Sequence, residues 1–114
     1  MANGQSQMAI AVPKFMFIAK VVGNVWATRK HKELNNYKLL LVKAIDPYAP
    51  DKFSGDTALA VDGNVGAGPG DVVLVVDEGG SARKILGNPK SPVRTVICGI
   101  VDQVSSKSEV KKYA

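Results

Sequence analysis

The side chains in this chain that could carry covalent or acid–base chemistry are few: one histidine, His31, one cysteine, Cys98, and a serine, Ser81, within Gly79-Gly80-Ser81-Ala82-Arg83. A histidine acting as general base needs a positioning carboxylate and a pocket. His31 stands between Lys30 and Lys32 in a polar, charged segment from Thr28 to Asn36, and it reads as exposed. Cys98 lies inside the apolar run Val96 to Val101 and reads as a small buried core residue rather than a nucleophile. Ser81 lacks the second glycine of a nucleophile elbow and has no histidine placed to activate it. With a single histidine and a single cysteine, a metal site would have to rest on carboxylates, and none of these cluster. The sequence predicts no catalytic residue, no metal and no cofactor.

A glycine-rich stretch offers a different chemistry. It runs Asp62, Gly63, Asn64, Val65, Gly66, Ala67, Gly68, Pro69, Gly70, Asp71, and then enters the apolar run Val72 to Val76. Glycines let backbone N–H groups approach an anion closely, which is how phosphate loops work. Here, however, Gly70 is followed by Asp71 and not by the Lys-Ser/Thr of a Walker loop, so an acid stands where the phosphate charge would sit. A dinucleotide fingerprint should open a helix, whereas four valines among five apolar residues favour a strand. The stretch reads as a loop shaped for packing.

The elements around that loop follow from patterning. At 114 residues the chain is one domain with a modest core, and no apolar stretch is long enough to span a bilayer. The first thirteen residues lack the basic start and apolar centre of a secretory signal. The lone cysteine excludes a disulfide framework within one chain and fits a reducing cytoplasm. Fifteen basic against ten acidic residues give +5. Much of that charge sits near the ends and in one loop, not among exposed aromatics on one face as in a nucleic-acid binder.

Alternation predicts a strand from Phe17 to Trp26, with a bend or bulge at Gly23 and with Trp26 as a packing residue, a subunit contact being one place for it, rather than a stacking platform for bases. A second strand, Tyr37 to Ile45, is apolar on both faces over its middle. Asp46 and Pro47 end it, and the stretch to Asp56 is expected as a surface loop. Thr57 to Val61 and Val72 to Val76 are expected as a third and fourth strand, paired antiparallel across the glycine loop. Ser81 is expected to cap a short helix that Gly87 closes. Val93 to Val104 is the fifth strand, and its doubly apolar pattern implies cover on its outer face by the helix or by another subunit. The expected fold is all-β, a small five-stranded barrel of the oligonucleotide-binding-fold type with one short helix. Residues 1–15 read as a flexible N-terminal extension, 16–104 as the barrel domain and 105–114 as a polar C-terminal tail.

These residues carry a resemblance. Phe17-Ile18-Ala19-Lys20-Val21-Val22-Gly23, then Tyr37-Lys38-Leu39-Leu40-Leu41-Val42, then Ala60-Val61-Asp62-Gly63-Asn64-Val65-Gly66-Ala67-Gly68 closely resemble the EutN/CcmL/PduN family, the pentameric vertex proteins of bacterial microcompartment shells. Gly80-Ser81-Ala82-Arg83, Pro92-Val93 and Ile100-Val101-Asp102 match its later signature. The departures are the residues before Met16 and the loop Tyr48 to Gly55.

The resemblance implies a non-catalytic structural protein of the cytoplasm. Its copies would assemble as a cyclic pentamer and cap the five-fold vertices of a shell, either metabolosome or carboxysome, whose facets are tiled by hexameric shell proteins. It implies no membrane and no nucleic acid as partner. Gly66, Ala67 and Gly68, with the turn Ser81, Ala82 and Arg83, are expected at or near the subunit contacts and the central opening. Arg83 would either pair with a carboxylate across that contact or cap its own helix. The competing reading is a free-standing module gripping single-stranded nucleic acid, for which basic charge and barrel are suitable but exposed aromatics are scarce.

Overall fold

A computed structural model describes residues 15–46, 49–106 and 109–113. Five strands close a barrel in the order β1 (Met16–Val25), β2 (Leu39–Asp46), β3 (Ala49–Asp62), β5 (Thr95–Ile100), β4 (Val72–Asp77). One helix, α1 (Gly79–Leu86), follows β4, and a short 3-10 turn (Lys32–Leu34) lies between β1 and β2. Two further strands, β6 (Gln103–Ser106) and β7 (Glu109–Lys112), form a separate antiparallel pair where the polar tail was expected. Among the described residues no helix is long and apolar enough to cross a membrane. Residues 1–14, most of the expected N-terminal extension, lie outside the described residues, as do position 47 and position 48, the first residue of the stretch 48–55 expected to depart from the resemblance.

Strand β1 is central because it pairs with β2 on one side and β4 on the other. Its register slips between Val21 and Gly23, the bulge expected at Gly23. The extra residue reverses the alternation. Ala19 and Val21 face the barrel interior, while Gly23 turns to the outer side, where an added Cβ would lie 3.5 Å from Leu41 Cδ1.

Three expectations about the strands give way. The stretch ahead of Asp56 is not a loop: β3 begins at Ala49 and pairs with β2 along its length. Pro50 and Gly55 read as breakers, but Pro is tolerated near the start of a strand and Gly at a bulge, and three residues of β3, Ser54–Asp56, lie opposite Ala44 alone. Nor do β3 and β4 pair across the glycine loop. β4 bonds to β1 and β5, while β3 meets β5 in parallel through Val61↔Val96 and Asp62↔Ile97. A loop of nine residues leaves pairing open, and barrel closure decides it. The fifth strand ends at Ile100 instead of Val104.

The core has two compartments. Inside the barrel, Val21, Leu40, Val42, Val73, Val75 and Ile97 are fully buried together with Ala19, Ala60 and Ala67. Against the outer wall, α1 sets Ala82 and Leu86 onto Leu39, Val61 and Val96, with Tyr37 and Ile85 at the margin. The doubly apolar strands are thus explained in part by the helix, one of the two covers expected. Cys98 is half-buried rather than in the core. Burial still pushes its thiol pKa up, which is unfavourable for a thiolate nucleophile.

Candidate assembly surface

The glycine loop is tied to the barrel on both sides. The Gly63 amide donates to the Ile97 carbonyl at 2.9 Å, and Gly70 and Val21 are joined by another bond of 2.9 Å from the Gly70 amide. Gly63 is there because nothing larger fits: an added Cβ would stand 2.6 Å from Ile97 O and 2.9 Å from Ile85 Cγ2. Gly66 and Gly70 have positive φ, at 78° and 94°, which costs glycine little.

The loop's own carboxylates hold its amides. Asp62 Oδ2 accepts from the Gly66 amide at 3.0 Å and Asp71 Oδ2 from the Gly68 amide at 2.9 Å. Two of the N–H groups a phosphate would use are therefore engaged, and by negatively charged partners. The same two acids are what the sequence shows without revealing their work, although a short acidic residue flanking a glycine run is a known cue for such turns.

The turn into α1 is built the same way, with one correction. The N-cap is Glu78, not Ser81. Its carboxylate accepts from the amides of Gly80 and Ser81, both at 2.8 Å, and from the Ser81 hydroxyl at 2.6 Å. The hydroxyl bond foremost, then the two amides and the charge of Arg83, lower the Glu78 pKa to about 2. Gly87 closes the helix in the left-handed region, as expected, its amide donating to the carbonyls of Arg83 and Lys84.

The six residues expected near subunit contacts divide. Ala67 and Ala82 are fully buried in different compartments of the chain's own core, so their side chains anchor the two turns and present no surface. Gly66 and Arg83 are exposed, and Gly68 and Ser81 are half-buried. No hydrogen bond joins the two turns among the described residues. His31 is exposed, as expected, and its Nδ1 accepts from the Glu33 amide at 3.0 Å. Trp26, expected as a packing residue, is 95% exposed within its own barrel.

Two apolar rows cross the outer wall where α1 does not cover it. On one side Gly23, Leu41 and Leu59 stand in register across β1, β2 and β3, and Leu59 and the neighbouring bulge residue Val22 are exposed. On the other side Ile18, Leu74 and Gly99 cross β1, β4 and β5, with Ile18 and Leu74 half-buried, while Ile100, exposed at the end of β5, pairs with buried Val73 and so belongs to the inner face. The sequence shows these side chains as second faces of apolar strands. Which of them the helix covers is a matter of three-dimensional packing.

The chain's likenesses agree with this geometry. Residues 16–102 match the family described as ethanolamine utilisation protein EutN/carboxysome. The microcompartment shell vertex protein EutN of Escherichia coli K12 is 44% identical over 96 residues, which is 83% of this chain and 96% of that one. Among solved structures, CcmL of Nostoc sp. PCC 7120 is 33% identical with a TM-score of 0.73, covering 82% of this chain and 95% of that one. The pentameric microcompartment shell protein GrpN of Rhodospirillum rubrum is 35% identical with a TM-score of 0.69, over 80% and 99%. Nothing in these likenesses supports the nucleic-acid alternative. With family match, sequence identity and barrel in accord over the same span, the chain belongs to the EutN/CcmL family of microcompartment shell vertex proteins.

Proposed function

We propose that this chain is a structural, non-catalytic shell protein. Five copies close into a ring that fills the five-fold corners of a microcompartment shell in the cytoplasm and abuts hexameric shell proteins along the facets. Family membership supplies the class of assembly, and the observation that carries the reading is the pair of unlike apolar rows on the barrel wall. One row runs from β1 through Leu41 and Leu59 on β2 and β3, and the other from Ile18 on β1 to Leu74 on β4. A cyclic ring needs a head-to-tail contact between two different patches, and it closes when the angle between them divides the circle. A five-fold unit set into a sheet of six-fold units forces curvature, which a closed polyhedral shell requires.

Sedimentation and native mass test the assembly: a particle of five chain masses is expected. A monomer at working concentration, or a two-fold dimer, would overturn it. Co-expression with hexameric shell proteins should give closed particles, and sheets or tubes left open in its absence.

A further inference from the structure

Two features are left incomplete within one copy, and each has what the other lacks. The first is an open edge on β3. Beyond the bulge, Thr57 to Ala60 pair regularly with β2, yet β5 bonds to β3 only from Val61 onward. Ala58 stands opposite fully buried Val42 and is nonetheless exposed, as is Leu59, because among the described residues no strand walls that side. Half of the backbone N–H and C=O groups along such an edge point to no strand, which makes it a template for another chain.

The second is the hairpin of β6 and β7. Its strands hydrogen-bond to each other and, among the described residues, to no strand of the barrel. An isolated two-stranded hairpin is marginal in water and gains stability from a third strand. Each of its strands is four residues long, the length of the open segment Thr57–Ala60. Val110 on β7 is exposed, as is the cation Lys112, and the β3 edge offers exposed Leu59, with exposed Asp56 three residues before it.

We propose that in the assembled ring β7 of one copy adds to the open β3 edge of its neighbour at Thr57–Ala60. This rests on the ring proposed above. The occupant is a second copy because every chain carries one edge and one hairpin, so a head-to-tail circle satisfies all of them with none left over.

The test uses the full chain with Cys98→Ala and two added thiols, Leu59→Cys and Val110→Cys, treated with a short bismaleimide. A ladder of covalent oligomers reaching the full ring is expected from the double variant, and none from either single variant. Hydrogen exchange should slow at alternate amides of Thr57–Ala60 in the ring relative to the diluted chain. A particle of five chain masses with no ladder, or with cross-links only within one chain, overturns this inference and leaves the ring standing. A monomer overturns both.

Discussion

The carboxylate of Glu78 and the hydroxyl of Ser81 lie 2.6 Å apart, and that bond, more than any other, holds the acid ionised at the start of α1. A folded-state pKa of about 2 against an ordinary 4.5 has a definite sign. The stabilisation is complete above about 4.5 and is lost as pH falls toward 2, where the carboxylate is protonated and releases the amides of Gly80 and Ser81. Ser81→Ala removes the foremost cause, so the Glu78 midpoint should rise and the acid limb of the unfolding curve should move to higher pH. Carbon-detected NMR titration of the Glu78 carboxyl reads this directly. A midpoint still near 2 in the variant would show that the two amides suffice.

Gly63 and Gly68 stand in one loop and should respond oppositely. At Gly63 an added methyl meets Ile97 O at 2.6 Å and Val96 Cγ1 at 3.0 Å, both parts of the packed wall. Gly63→Ala should therefore cost about 1–3 kcal/mol in chemical denaturation of the isolated chain. At Gly68 an added Cβ meets nothing within 4 Å. Gly68→Ala should leave the isolated chain's stability within about 0.5 kcal/mol. A bulky residue at Gly68 that weakened the ring without lowering chain stability would place this glycine at a subunit contact, and an unchanged ring would remove it from there.

Leu40 and Leu59 test the two faces of the β2–β3 hairpin in the same manner. Leu40 is fully buried inside the barrel, and Leu40→Ala should cost about 2–5 kcal/mol by removing contacts and leaving a cavity. Leu59 is 51% exposed in the outer row, so Leu59→Lys should change chain stability by less than about 1 kcal/mol. In the ring the lysine would be buried without a partner, and sedimentation should show dissociation at concentrations where the parent chain remains assembled. A ring that tolerated Leu59→Lys would exclude the Leu41–Leu59 row from the contact.

The barrel is legible in the sequence because period-two apolar runs and glycine corners act locally. Gly23 as a bulge and Gly87 as a helix stop each depend on the few residues beside them. Pairing is not local. Nothing near β3 or β4 announces that β3 turns to β5 and β4 to β1, since strands close to each other in sequence prefer a hairpin until closure forbids it. The cap at Glu78 was obscured by a serine of better cap propensity three residues on, whose hydroxyl serves the acid instead. Of the candidate site, the glycines and the turn at Ser81 are visible as motifs. That Ala67 and Ala82 point into separate cores, leaving Gly66, Gly68, Ser81 and Arg83 at the surface, requires the fold.

Arg83 separates two roles that the sequence leaves equal. The helix end is already satisfied by the Gly87 amide, and the guanidinium lies over the start of α1, where a Cβ added at Gly79 would be 3.2 Å from its Nη1. Among the described residues the ion pair of the chain is Arg94 with Asp77, at 2.9 Å, and Arg83 has none. An exposed arginine in that position adds little to its own fold, so Arg83→Ala should change the unfolding free energy of the isolated chain by less than about 0.5 kcal/mol in chemical denaturation. If its planar fork grips a neighbour's carboxylate, ring dissociation should move to higher protein concentration, and the dependence of that concentration on salt should flatten. Arg83→Lys should restore the charge but only part of the affinity, because a lysine cannot make the two-pronged contact. Equal ring stability in all three proteins across a salt series would assign Arg83 to the surface of its own helix and remove it from the contact.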